Sequence, residues 1–243
     1  MTTAPAPIII TGGGSRLGFA TAIELRKDDY QVVITYRKER PELELLKQAG
    51  VKCIQADFSD QTGVDSFIKT IKEEFSCLRA VIHNASEWLE EGDYEAHILM
   101  QKVCQIHMNV PYQLNMHFAD LLTQYSEYGH LSDIIHITDY VAENGSAKHV
   151  AYAASKAGLA NLTLSFAKKL APWVKVNTLA PALLVFTEDD DLAYKEKRLQ
   201  ESLLKVEPGF AEAIEGIRFI LKSGYMTGRE LALDGGRHLV SGR

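Results

Sequence analysis

The chain has 243 residues, 46% of them hydrophobic and 24% charged, with a formal net charge of −6. This is long enough to bury a substantial core, and the acidic balance excludes a broad basic face for nucleic acid. Cys53, Cys77 and Cys104 stand apart with no C-x-x-C pairing, the usage of reduced thiols in a cytosolic protein. No apolar run is long enough to span a bilayer, and the start MTTAPAP has no basic leader region. A soluble, cytoplasmic chain without membrane contact is expected.

The first apolar run, Pro7 to Thr11, ends in Gly12-Gly13-Gly14, and a helical pattern opens at Leu17. Strand, glycine turn and helix in that order form the first unit of a dinucleotide-binding fold. Glycines let the backbone approach a pyrophosphate, and the helix N-terminus offers N–H groups. The candidates are Gly12, Ser15, Arg16, Leu17 and Gly18. A second strand, Gln31 to Tyr36, ends in Tyr36-Arg37-Lys38 without the acid that holds ribose hydroxyls in NAD enzymes. Arg37 suits a 2′-phosphate, with Arg16 a second cation nearby, so NADPH is the expected cofactor. Lys38 also reads as part of a solvated basic turn.

A helix from Pro41 to Ala49 leads to a strand, Val51 to Gln55, ending in Ala56-Asp57-Phe58-Ser59-Asp60. Asp57 stands where an adenine amino group could bind, and Ser59 or Asp60 could cap the next helix, Thr62 to Phe75. The strand Ala80 to His83 runs into Asn84-Ala85-Ser86-Glu87-Trp88. Asn84 supports either the cofactor or the central sheet, and Trp88 is a loop anchor or a stacking surface for a flat ligand. A long helical region, Tyr94 to Tyr128, carries Asn109 before Pro111, which suggests a local bend. His97, His107 and His117 recur at a spacing of ten, which is not that of ligands on one helix face, so no metal is expected.

A buried strand ends at Asp139, and a helix from Val150 to Leu170 carries Tyr152 and Lys156 on one face. An ammonium beside the phenol is expected to favour phenolate and bring the tyrosine into use near neutral pH. The strand Val174 to Ala180 ends at Pro181. The uneven segment 182–206, with the acidic run Glu188 to Asp191, is expected to cover the substrate. A helix, Phe210 to Lys222, and a strand, Arg229 to Leu233, close the chain. The alternation predicts an α/β fold: one domain over 1–243, a Rossmann-type doubly wound parallel sheet with helices on both faces.

Thr11-Gly12 with Gly18, Asp57, Asn84-Ala85, Asn109, Tyr152-x-x-x-Lys156, Asn177 with Pro181, and Asp234-Gly235-Gly236 resemble the short-chain dehydrogenase/reductase family over essentially the whole chain. The resemblance implies hydride transfer from NAD(P)H. Tyr152 would exchange the proton, Lys156 would hold the nicotinamide ribose, and Asn109 would support a water chain. It also implies a homotetramer formed through the helices of Asn109 and Tyr152.

Two departures point to a subgroup. Arg16 stands where the family usually has a small residue, and Asp139 where it has a serine that donates to a carbonyl. An ionised Asp139 only accepts, so it suits a substrate rich in N–H groups, and it would raise the Tyr152 pKa against Lys156. Both changes resemble the pteridine reductases, as does Asn84-Ala85-Ser86. In that group Arg16, Ser86, Trp88, Asp139 and Tyr152 would meet a reduced pterin, with hydride going to C6 and a proton to N5 from Tyr152, Arg16 or water. The acidic run is either a solvated loop or a charge that repels the glutamate tail of folates. Rival readings are a carbonyl reductase for a 3-oxoacyl thioester or a sugar, and a nucleotide sensor without catalysis.

Overall fold

The computed structural model describes residues 6–126 and 129–240. Its seven strands are β1 (Ile8–Ile10), β2 (Val32–Tyr36), β3 (Lys52–Gln55), β4 (Ala80–His83), β5 (Ser132–Ile137), β6 (Val174–Pro181) and β7 (Glu230–Leu233). They form one parallel sheet in the order β3-β2-β1-β4-β5-β6-β7. The order reverses between β1 and β4, so a crevice opens there at the carboxyl ends of the strands.

The strands are nearly unbroken apolar runs because both faces of the sheet are covered. Alternation then sorts side chains to two layers. Ile8, Ile10, Ile34, Ile82 and Leu179 pack under α1 (Arg16–Lys27), α2 (Glu42–Gln48) and α9 (Gly209–Lys222). Ile9, Val33, Val81, Ile134 and Val176 pack under α3 (Gln61–Glu74), α5 (Val110–Ser126) and α7 (Val150–Leu170). Between these lie α4 (Ala96–Cys104), α6 (Val141–Asn144) and α8 (Leu192–Leu199). Asp60 is the cap of α3, accepting from Gly63 N at 2.9 Å.

The helical region expected from Tyr94 to Tyr128 is not uniform. It runs as α4, a π turn over Gln105–Asn109, and then α5. Pro111 has no N–H to continue an i→i+4 ladder, and the wider turn just before it absorbs that loss. Tyr128 and residues 1–5 lie outside the described residues. Segment 182–206, expected as an uneven flap, holds α8 and is tied back by Leu204 N to Gly235 O at 3.1 Å.

Two buried polar systems lock the layers. Asn115 on α5 accepts from His83 Nε2 at 2.7 Å and donates to His136 Nε2 at 3.1 Å, while His136 Nδ1 donates to Thr163 on α7 at 2.7 Å. Burial lowers the His83 pKa to about 4 and pushes His136 well below the usual range, so both rings are neutral. At the amino ends of β4, β5 and β6, Asp133 pairs with Arg79 at 2.5 Å and Lys175 at 2.8 Å. The two cations also donate to Leu221 O and Ile220 O at the end of α9. Removing the carboxylate leaves two cations facing each other in a dry site. Asp133→Ala should therefore lower unfolding free energy by about 3–5 kcal/mol, read by urea denaturation.

Candidate active site

The carboxyl ends of β1, β2, β3, β4, β5 and β6 surround a cleft of ≈ 810 Å³, with segment 182–187, Asp190, Tyr194 and Arg198 along one wall. Of the residues singled out above, Gly12, Ser15, Arg16, Leu17, Tyr36, Arg37, Asp57, Phe58, Asn84, Ala85, Ser86, Trp88, Asp139, Tyr152, Lys156 and Pro181 all border it. Gly18 and Asn109 do not.

The glycine turn is fixed from β4. Asn84 Nδ2 donates to Thr11 O at 3.1 Å and to Gly12 O at 3.0 Å, and Thr11 Oγ1 accepts from the N–H groups of Asn84 and Ala85. Gly12 has φ +64°, and a Cβ there would lie 2.8 Å from Ala85 Cα. Gly18 lies behind the turn, where a Cβ would meet Asn84 Nδ2 at 2.6 Å. Its role is to let the turn and β4 approach each other. Arg16 takes φ +49°, a left-handed conformation that favours glycine. Across the cleft the Asp190 carboxyl is kept below the usual range by the Thr187 N–H bond, with the Lys195 and Arg16 charges adding less.

At the end of the cleft beyond β2, Arg37 pairs with Glu87. Asp57 accepts from Ser59 N at 2.9 Å, which holds its pKa down. Phe58 borders the cleft, but its ring packs edge-on to Phe67, 5.5 Å away, in the core.

At the other end, Tyr152 donates to Asp139 Oδ2 at 3.1 Å, and Asp139 Oδ1 accepts from Val141 N at 3.0 Å. Burial raises the Asp139 pKa, opposed by the Val141 bond and the Lys156 charge. With both oxygens accepting, the carboxylate is the form that fits. Lys156 donates to Ile137 O at 2.9 Å, and its Nζ lies 5.6 Å from the centre of the Tyr152 ring. Burial lowers its pKa to about 8. Of the two opposed influences expected on the phenol, that of Asp139 prevails over that of Lys156: burial first, and Asp139 second, push Tyr152 well above 10. The lysine sits over the ring while the carboxylate meets the hydroxyl. Trp88, 55% exposed, packs on Tyr152 at 4.6 Å and on His149 at 4.1 Å.

The Asn109 side chain lies off the cleft. Asn109 is exposed, donating to Gln105 at 2.6 Å and accepting from Gln113 at 3.3 Å. The π turn rotates it outward and turns His107 in. His107, set aside above as a metal ligand, lies 5.3 Å from the Tyr152 ring and bonds both Ser86 and Ser155 at 2.8 Å. The signal for it was present: the apolar stripe Leu99, Val103, Val110, Leu114 has His107 as its polar member. Glu91, passed over in an acidic stretch, accepts from Ala151 N at 2.9 Å and holds the start of α7. Of the acidic run, Asp190 borders the cleft, while Asp191 caps α8 through Tyr194 N at 2.7 Å.

The short chain dehydrogenase family model matches residues 6–196, and the chain belongs to that family. It is 48% identical over 237 residues to a dihydromonapterin reductase of Citrobacter koseri, covering 97% of this chain and 98% of the relative. It is 49% identical over 240 residues to the dihydromonapterin reductase of Escherichia coli strain K12, covering 98% of each. Among solved structures, FolM alternative dihydrofolate reductase 1 from Brucella canis complexed with NADP superposes with a TM-score of 0.86. That pair is 24% identical over 97% of this chain and 95% of the other. The RhlG/NADP active-site complex of Pseudomonas aeruginosa gives a TM-score of 0.87 at 22% identity, over 97% of each chain. These likenesses extend the fold assignment to the sheet order and helix layers described above.

A non-glycine residue in the left-handed region stores about 1–3 kcal/mol. Arg16→Gly should therefore raise unfolding free energy by about 1 kcal/mol in urea, after the extra freedom of an unfolded glycine is allowed for.

Proposed function

We propose that this chain is an NADPH-dependent reductase of 7,8-dihydropterins, converting 7,8-dihydromonapterin to its tetrahydro form and acting more weakly on dihydrofolate. The observation that carries the reading is the Tyr152–Asp139 pair, which sets an acceptor where reduction of a ketone calls for a second donor. The dihydromonapterin reductases that match nearly the whole chain support it.

The residues present fit NADPH. The glycine turn at Gly12 leaves no room for a side chain, and Ser15 leaves the first turn of α1 without a side-chain cap. Those N–H groups and the helix N-terminus suit a pyrophosphate. Arg37 would hold the 2′-phosphate, exchanging Glu87 for it, beside Tyr36. Asp57, Phe58 and Ala85 would border the adenine side, Asn84 would hold the turn, and Pro181 and Leu17 would border the nicotinamide side. Lys156 would bond the ribose. When bound, NADPH supplies the hydride.

The chain's own residues do the rest. Ser86 and Asp139 accept from ring N–H groups, Trp88 stacks on the ring, and Arg16 reaches the same space. Tyr152, neutral at working pH, holds the proton destined for N5. Segment 182–206 covers the substrate. Three free cysteines accord with a cytoplasmic setting. Among the described residues no helix is long and apolar enough to cross a membrane. Exposed Tyr112 and Met116 on α5 and Leu164 on α7 support assembly of a homotetramer through those helices.

Purified protein should oxidise NADPH faster than NADH, with dihydromonapterin ahead of dihydrofolate; turnover of an acetoacetyl thioester without pterin turnover would overturn the reading. Tyr152→Phe should lower kcat about 100-fold or more, the usual scale of a lost general acid, while Asp139→Ser raises KM for the dihydropterin. With the Lys156 pKa lowered to about 8, its charge is present below that pH and is lost above it. The profile of kcat/KM should accordingly fall as pH rises through about 8, with no Tyr152 ionisation in that range. Asp190→Asn should improve dihydrofolate use more than dihydromonapterin use, since it removes the negative charge that borders the cleft beside Arg16. Equal changes for both substrates would show that Asp190 does not face the folate tail.

A further inference from the structure

His107 is 1% exposed and does not itself border the cleft. It lies on the π turn, behind Ser86 and against the edge of Tyr152. Its hydrogen-bond partners determine where its proton sits. The backbone N–H of Glu87 points at Nε2 from 3.3 Å, and a backbone N–H only donates. Nε2 therefore carries a lone pair and Nδ1 carries the hydrogen, which goes to Ser155 Oγ at 2.8 Å. Ser155 in turn donates its hydrogen to Tyr152 O at 2.7 Å. The remaining contact, Ser86 Oγ to Nε2 at 2.8 Å, is then a hydrogen bond in one direction only, with Ser86 donating.

We propose that His107 is a positioning residue that draws the Ser86 hydrogen inward, so that Ser86 faces the cleft as a hydrogen-bond acceptor only. A hydroxyl normally adapts, donating to a carbonyl or accepting from an amine. Here its single hydrogen is committed before any substrate arrives. Ser86 also stands within reach of the Tyr152 hydroxyl, where a donated hydrogen would stabilise phenolate. With that hydrogen held by His107, the phenol loses this route to ionisation. Ser86 and Asp139 become two fixed acceptors flanking the tyrosine. A substrate presenting ring N–H or amino groups satisfies both, and a ketone oxygen placed there meets lone pairs. An unpaired buried polar group costs about 1–3 kcal/mol, and that penalty would fall on the ketone and not on the pterin. Burial, reinforced by the nearby Lys156 charge, lowers the His107 pKa to about 2, so the arrangement persists through the working pH range.

The proposal rests on the pterin reading for the identity of the substrate, but the tautomer does not. Nitrogen-15 NMR of imidazole-labelled wild-type protein, with His107 assigned through its backbone, should show protonated Nδ1 and bare Nε2 from pH 6 to pH 8. The opposite tautomer, or titration within that range, would overturn the proposal whatever the substrate is. In turnover assays, His107→Phe should raise KM for dihydromonapterin about tenfold while the NADPH dissociation constant changes less than twofold. Added to Ser86→Ala, it should raise that KM no further, because the hydroxyl it orients is gone. Fully additive losses in the double variant would overturn the proposal, as would an equal loss of NADPH affinity. If the wild type turns over no dihydropterin, the pterin reading fails, and the tautomer measurement still decides the role of His107.

Discussion

The hydrogen bond from Tyr152 to Asp139 joins the helix α7 to the end of β5, and the ionisation of the cleft's inner end depends on it. Three ionisable groups meet in a dry place, and desolvation is the first-ranked influence on each of them. For the phenol, burial and the carboxylate act in the same direction, so it is held neutral. For the lysine they oppose, and burial wins, bringing the amine to about 8. A carboxylate–lysine attraction alone would have raised it. The outcome is a donor bonded to an acceptor with a weakened cation over the ring, which is a different instrument from a phenolate beside a full ammonium.

The rest of the fold holds that contact still. β5 sits in the middle of the sheet, with β4 and β6 on either side. The chain from His83 through Asn115 and His136 to Thr163 links β4, α5, β5 and α7 beneath the site. Glu91 fixes the N-terminus of α7, one residue before Tyr152. At the amino ends of the same strands Asp133 draws Arg79 and Lys175 together. Buried ion groups of that kind add little net stability, yet they tolerate one strand register. A slip of β5 by one residue would remove Asp133 from its cations and Asp139 from Tyr152 at once.

Much of this was legible in the residues. Unbroken apolar runs between helical patterns read directly as a parallel sheet, because only strands covered on both faces are apolar throughout. Tyr152 and Lys156, four apart, could share one helix face and no other arrangement of a helix would separate them. Asp139 was visible as a departure. What the pattern could not carry was the phase of the helix around Asn109. A single π turn rotates everything after it, so Asn109, expected inward, faces solvent while His107 faces the site. Contacts between distant loops were equally silent. Nothing near Arg37 announces Glu87, fifty residues on, and nothing near Ala151 announces Glu91. Such pairs exist only once the sheet has placed its carboxyl ends side by side.

Glu87 brings the two ends of the cleft into one argument. Its side chain pairs with Arg37 beyond β2, and its N–H bonds His107 behind Ser86. A 2′-phosphate competing for Arg37 would release the carboxylate but would leave the backbone bond untouched. Loading of cofactor can thus rearrange the charge at the entrance without changing the hydrogen-bond direction at the substrate end. The acceptors presented by Ser86 and Asp139 are then a property of the folded chain and not of the loaded one. The strained backbone of Arg16 borders the same cleft and is likewise fixed by the fold before any ligand arrives.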